Sequence, residues 1–316
     1  MNRAAVEAAA RRLSEGPEAF LRRTPLWKLP GAALGVGCRE VWLKLEQLQA
    51  SGSFKARGML HRLLAQPIPP AGVIVASGGN AGIATAAAAK ALGVPCEVFV
   101  PTVSSPAKQA RLRALGARLV VTGDAYADAL EACLARQRET GALLTHAYDQ
   151  PEVVAGAGTV AQEIEEQGGR VPDAVLVSVG GGGLVAGIAS WFEGRSRVIG
   201  LEPELAPTLF RARQAGQPVD VAVGGIAADS LGARRLGALA WEVTQRWVAD
   251  SLLLSDEAIA HAQRWLWSQW QLAVEPAAAL PLAALQQGVF LPGPDDAIAL
   301  VICGANVDPA RLSEAP

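Results

Sequence analysis

Lysine is the scarce base of this 316-residue chain: Lys28, Lys44, Lys55, Lys90 and Lys108 stand against 23 arginines. Lys55 lies in the segment Ser51-Gly52-Ser53-Phe54-Lys55-Ala56-Arg57-Gly58. Among side chains, the lysine amine is the group that condenses with an aldehyde, once its pKa is low enough to free the lone pair. Taken alone, a lysine such as Lys55 is more often a solvated residue at a helix start. Three other segments are rich in glycine and small polar residues: Ser77-Gly78-Gly79-Asn80-Ala81-Gly82, Gly180-Gly181-Gly182-Gly183 and Cys303-Gly304-Ala305-Asn306. Four successive glycines ahead of a helix leave backbone N–H groups unobstructed by Cβ atoms, and the helix dipole favours an anion there. The run reads as a phosphate cradle; a merely tight turn accounts for one or two of its glycines.

Alternating strands and helices must position these segments. Val73–Ala76 reads as a strand leading into Ser77, followed by an Ala-rich helix from Ile83 to Leu92 that Gly93 stops. Strand Cys96–Val100, a helix capped by Ser105-Pro106, strand Arg118–Val121 and a helix from Asp124 to Arg138 continue the series. A second series begins after Pro151, with a helix around Thr159–Glu166, strand Ala174–Val179, the glycine run and a helix Leu184–Phe192. Strand Val198–Leu201, a helix after Ser255 and a last strand Ala297–Cys303 complete it. Strands that alternate with helices imply parallel sheets, because a parallel pair needs a crossover. Ligands of such sheets sit beyond the carboxyl ends of the strands, where the three glycine-rich segments fall. Trp265, Trp267 and Trp270, on the helix after Ser255, read as packing residues rather than a ligand cage.

Composition excludes several functions. The chain is 51% hydrophobic and 18% charged, with a formal charge of −2, so it carries no basic footprint for nucleic acid. Its apolar runs fall far short of the roughly 20 residues that span a bilayer, and the charged start Met1–Arg12 does not resemble a secretory leader. A cytoplasmic protein without membrane contact is expected. Cys38, Cys96, Cys133 and Cys303 are scattered without a CxxC pair, as are His61, His146 and His261. Zinc, disulfides and a Ser-His-Asp triad are therefore not expected. One alternative survives this far: Gly181, Gly183 and Ala186 match the dinucleotide spacing G-x-G-x-x-G/A, with Glu202 as a ribose-binding acid. It implies an NAD-dependent oxidoreductase, but gives the Lys55 and Ser77 regions no role.

The order SGSFKARG, SGGNAG, GGGGL at Gly180–Leu184 and CGAN resembles the fold-type II pyridoxal-phosphate enzymes, the tryptophan synthase β-like group, and most of all its L-serine/L-threonine dehydratases. The resemblance runs from about Thr24 to Asn306 and includes Thr145–Ile164 and Val274–Leu285. It implies two open, mostly parallel sheets flanked by helices, with residues 1–48 and 149–316 forming a large domain, 49–148 a small one, and pyridoxal 5′-phosphate in the cleft between the lobes. Position by position, Lys55 would bond to the cofactor aldehyde, Phe54 would lie against the ring, Asn80 would hydrogen-bond the ring hydroxyl and Gly180, Gly181, Gly182, Gly183 and Leu184 would hold the phosphate. Cys303 would face the ring nitrogen. Ser77, Asn80 and Ala81 would bind the substrate carboxylate. The implied reaction is β-elimination of serine or threonine to pyruvate or 2-oxobutanoate plus ammonia.

Other readings share this scaffold: a β-replacing cysteine or threonine synthase-like enzyme, or a weakly active amino-acid or cofactor binder. Gly78 replaces the Ser that many relatives carry, which argues against a racemase because no acid then reaches the second face of the α-carbon. The resemblance also implies a homodimer and a monovalent cation, K+, at Glu202, Ala206, Thr208, Leu231 and Ala233. The chain length predicts no isoleucine feedback.

Overall fold

The computed structural model describes residues 1–308 and 312; residues 309–311 and 313–316, at the end of the expected large domain, lie outside the described residues. The strands among the described residues are β1 Leu26–Pro30, β2 Glu40–Lys44, β3 Val73–Ala76, β4 Cys96–Val100, β5 Arg118–Val121, β6 Leu143–Leu144, β7 Ala174–Ser178, β8 Arg197–Pro203, β9 Val248–Leu254 and β10 Ala297–Val301. They form a six-stranded sheet, ordered β1-β2-β10-β7-β8-β9, and a four-stranded sheet, ordered β5-β4-β3-β6. Every pairing of these strands is parallel except β1 with β2. The expected α/β architecture of two mostly parallel, helix-flanked sheets is what the chain adopts.

Burial follows the pattern that a covered parallel sheet demands. All residues of β3, β7 and β10 are buried, and their near-continuous apolar sequences suit strands packed on both faces. β1 is the antiparallel edge, and it ends in Pro30, a residue that a central strand would not tolerate. Trp27 on that edge meets Trp270, which in turn contacts Trp265, at centroid distances of 4.8 and 4.7 Å. Trp265 and Trp270 pack against the large core, as expected of them.

Three helices bring the chemistry-bearing segments together. The central one, Pro151–Gly168, begins two turns earlier than the sequence pattern suggests, with Pro151 at its first position. Gly156 and Gly158 look like helix breakers in sequence, yet they serve close approach. A Cβ on Gly156 would meet the backbone of Arg57 and Gly58 on helix Lys55–Leu64, and one on Gly158 would meet the Gly187 carbonyl on helix Gly183–Phe192. The lysine-bearing helix and the glycine-run helix thus pack on the same neighbour with little between their backbones. The segment before Lys55 is stitched to the end of β10: Ser53 bridges Gly304, and the Phe54 N–H donates to the Cys303 carbonyl at 3.1 Å. The four cysteines are free and buried. Among the described residues, no helix is long and apolar enough to cross a membrane.

Candidate active site

Lys55 opens its helix directly after Phe54, whose ring centroid lies 5.2 Å from the amine. The side chain is half-buried, yet its Nζ lies deep among protein atoms and donates to the Ala147 carbonyl at 2.5 Å. Burial pushes the amine pKa down to about 8, while Cys303 and Glu275 pull the other way. His146 shapes the loop that presents that carbonyl. Its Nδ1 accepts from the Asp149 N–H at 3.0 Å and the Tyr148 N–H at 3.3 Å, which places any ring proton on Nε2. Burial lowers the His146 pKa; Asp149 opposes the shift and the Lys55 charge adds to it, so the ring is neutral.

A buried ion network anchors the lysine-bearing helix. Arg57 donates to both oxygens of Glu46 (2.7 and 2.8 Å) and to both oxygens of Glu163 (2.7 and 2.9 Å). Lys44 Nζ reaches Glu163 Oε2 at 2.5 Å, and Thr24 Oγ1 donates to Glu46. The network joins β2, the lysine-bearing helix and the central helix, so two residues beyond Lys55 the backbone is fixed in three directions.

Ser77 follows β3, and its Oγ accepts from the Gly79 N–H at 3.3 Å. Helix Asn80–Leu92 then begins, with its first intrahelical bond from Ile83 to the Gly79 carbonyl. The N–H groups of Asn80, Ala81 and Gly82 consequently open outward from the helix start. Gly82 is required there because a Cβ would overlap the Ser77 carbonyl. The glycine run follows β7 in the same manner. Gly182 adopts φ +88°, and the first helical bond runs from Ala186 to its carbonyl, leaving the N–H groups of Gly183, Leu184 and Val185 facing outward. Phe54, Lys55, Gly58, Tyr148, Val153, Ala157, Gly183 and Leu184 line one small cavity, so Lys55 and the start of the glycine-run helix border the same space.

Cys303 lies fully within the protein beyond β10, and burial with the nearby Glu275 raises its thiol pKa well above the ordinary value, so it stays protonated. Sequence reasoning misses Glu275. It is 5% exposed, accepts from Asn80 Nδ2 through both oxygens at 2.8 and 3.0 Å, and burial pushes its carboxyl up to about 7. The available signal is an isolated acid between Val274 and the apolar helix Pro276–Gln286, where no solvated face is on offer.

Glu202 does not join the cleft. Its oxygens accept from the Leu209 N–H, the Phe210 N–H and Ser251 Oγ, each at 2.7 Å, while Thr208 Oγ1, 3.1 Å away, gives its one proton to the Gly180 carbonyl at 2.5 Å. It caps helix Thr208–Ala215, an acid at a helix N-terminus. That use removes the carboxylate from the dinucleotide alternative, in which it would hold a ribose. The Oε1 lone pair towards Thr208 receives no proton, so these contacts do not close the carboxylate to the expected cation. Of the other residues expected there, Ala206 and Thr208 flank the same helix start, Leu231 ends helix Ala228–Leu231 against Gly180, and Ala233 lies two residues beyond.

Does the cleft suit an aldehyde cofactor with a phosphate? An enclosed amine with a lowered pKa borders the same cavity as a helix start with outward-pointing N–H groups, and the Oγ atoms of Ser51 and Ser53, in the segment before Lys55, are buried without a protein partner. That donor set fits. It defines a class of protein: an α/β enzyme that holds a phosphorylated aldehyde between two parallel sheets. Comparison with known proteins agrees. The family model described as pyridoxal-phosphate dependent enzyme matches residues 18–304, and the chain belongs to that family. It is 35% identical over 305 residues to a phenylserine dehydratase from Ralstonia pickettii, covering 93% of this chain and 91% of that protein. An L-threonine ammonia-lyase from Geobacter sulfurreducens is 36% identical over 282 residues, covering 86% of this chain and 69% of its relative. A solved threonine deaminase, from the organism abbreviated T.th., superposes with a TM-score of 0.89 at 36% identity, covering 100% of both chains.

The cradle has a direct test. A Cβ on Gly181 would overlap three atoms of the Tyr148 ring, and Tyr148 is held by its hydroxyl on the Arg235 carbonyl at 3.3 Å. Gly181→Ala is expected to displace the ring and the loop and to weaken pyridoxal phosphate binding about 10-fold or more. Equilibrium dialysis measures it; unchanged affinity would show that the loop is not the cradle.

Proposed function

We propose that the protein removes the β-hydroxyl and amino groups of L-serine or L-threonine, releasing pyruvate or 2-oxobutanoate and ammonia. The observation that carries this reading is the buried amine of Lys55, in one cavity with Gly183 and Leu184 at the start of the glycine-run helix. Bound pyridoxal phosphate supplies an aldehyde that captures the substrate amine and a ring that takes up electron density from the α-carbon. The chain supplies the remainder. Lys55 Nζ, held by the Ala147 carbonyl, would take the α-proton as general base. The outward N–H groups of Gly183 and Leu184 hold the phosphate. Ser77 and the helix start at Asn80 and Ala81 bind the substrate carboxylate.

Cys303 is placed at the ring nitrogen in this reading. A protonated thiol there does not enforce a ring cation, so charge on the α-carbon is best relieved by prompt loss of the β-hydroxyl. Gly78 offers no acid for reprotonation from the other side, which supports elimination over racemisation. Serine, threonine and phenylserine assayed together for oxo acid test the proposal; parent protein that binds the cofactor and yields no oxo acid from any of them would refute it. The reading includes a cytoplasmic homodimer, which sedimentation would report as twice the mass of the chain.

The pKa of Lys55 sets a pH dependence. Burial disfavours the ammonium, so the amine is protonated below about pH 8 and neutral above it. Only the neutral form attacks an aldehyde. The rate at which cofactor-free protein captures pyridoxal phosphate is therefore expected to rise through about pH 8 and then level, by stopped-flow absorbance. A rate that is flat across that range would mean that Lys55 is not the reacting group.

A further inference from the structure

The Asn80 amide is fixed from two sides. Its Nδ2 donates to both oxygens of Glu275, and its Oδ1 accepts from Asn306 Nδ2 at 2.5 Å. Asn306 also donates to the Ser51 carbonyl at 3.1 Å. Glu275 is itself held, since its backbone N–H donates to the Gly304 carbonyl at 3.0 Å and Gly304 packs so closely that a Cβ would overlap Oε1. An ionised carboxylate only accepts, and an amide oxygen only accepts, so this pair of neighbours permits one orientation of the amide. One N–H of Asn80 serves Glu275 and the other is left for a ligand. A flipped amide would present an oxygen instead and repel an anionic or phenolic oxygen.

We propose that Glu275 is a positioning residue, which with Asn306 locks the Asn80 amide so that an N–H faces the oxygen on the cofactor ring. The proposal rests on the reading of this cleft as the pyridoxal phosphate site and adds a residue to it. Protonation undoes the lock, because a carboxylic acid gains an O–H donor that can pair with the amide oxygen. The charged and titratable groups around Glu275 are Lys55 on its helix, Cys303 beyond β10, Lys108 and Arg111 on helix Pro106–Ala114, and Asp229 on helix Ala228–Leu231. Burial raises the carboxyl to about 7; Lys55 and Lys108 favour the carboxylate and Asp229 opposes it. The lock is closed above that pH and opens below it.

The test compares pyridoxal phosphate affinity of the parent, Glu275→Gln and Asn306→Ala by equilibrium dialysis across about pH 6 to 9. Loss of the lock is expected to raise Kd about 10-fold in both variants at high pH. Glu275→Gln should also lose the inflection near pH 7, whereas Asn306→Ala, which keeps the carboxylate, should retain it. Asn306→Ala carries the test should Glu275→Gln fail to fold. Parent affinity in either variant, or an inflection near pH 7 that survives in Glu275→Gln, would overturn the assignment. Parent protein that binds cofactor with this inflection but makes no oxo acid would refute the elimination reading and leave Glu275 in its role. Parent protein that binds no cofactor would overturn both.

Discussion

Lys55→Ala is expected to lower oxo-acid formation by about 10^3-fold or more, while the protein folds and keeps its phosphate cradle. The magnitude follows from two losses, the proton acceptor and the group that bonds to the cofactor; general-base catalysis alone contributes about 10^2 to 10^4. Stability should change little, because the removed amine makes one hydrogen bond, to Ala147, and is costly to bury when charged. Lys55→Arg sharpens the result. Arginine keeps the positive charge and cannot lose it in a protein, so it should be as inactive as alanine. Activity in the arginine variant near that of the parent would reduce Lys55 to an electrostatic role.

The second large effect concerns folding. Arg57→Ala is expected to destabilise the protein by about 3–5 kcal/mol, the range seen when one member of a buried ion pair is removed. Glu46 would lose the guanidinium that pairs with it while remaining wholly buried, and Glu163 would keep Lys44. Exposed pairs such as Arg235 with Asp220 are worth far less, so Arg235→Ala is a useful contrast. Urea denaturation should show a lower midpoint for Arg57→Ala with an unchanged slope. A shift worth less than about 1 kcal/mol would mean that the carboxylates find water or new donors, and that the helix bearing Lys55 is not anchored by this network.

The units around β3, β4, β5 and β7 are legible in the sequence because their signals are local: an apolar run, a turn, a capped helix. Ser105-Pro106 marks a helix start as read, and Gly93 and Gly116 fall where helices end. β1 and β9 escape because they are edges whose mixed sequences carry no clear period, Pro30 in one and Asp250-Ser251 in the other. The central helix is read too short for a different reason. Gly156 and Gly158 lower its intrinsic propensity, and the compensation comes from two other helices that the local sequence does not reveal.

The same division holds in the site. Lys55 and the glycine run are readable because residue type and order restrict the chemistry. Glu275 is not, since its partner Asn80 lies 195 positions away and only folding makes the pair. Glu202 misleads by its place at a strand end, which suits a ribose; the helix that begins at Thr208 supplies donors that claim it.

The central claim is a bond between one lysine and the cofactor. Five lysines are available for it. Reducing the protein–pyridoxal phosphate complex with borohydride, digesting it and locating the added mass by sequencing mass spectrometry identifies the lysine that formed that bond. The label is expected on the peptide holding Lys55 at close to one per chain, and absent when Lys55 is alanine. Label on Lys28, Lys44, Lys90 or Lys108 in its place, or none, would contradict it.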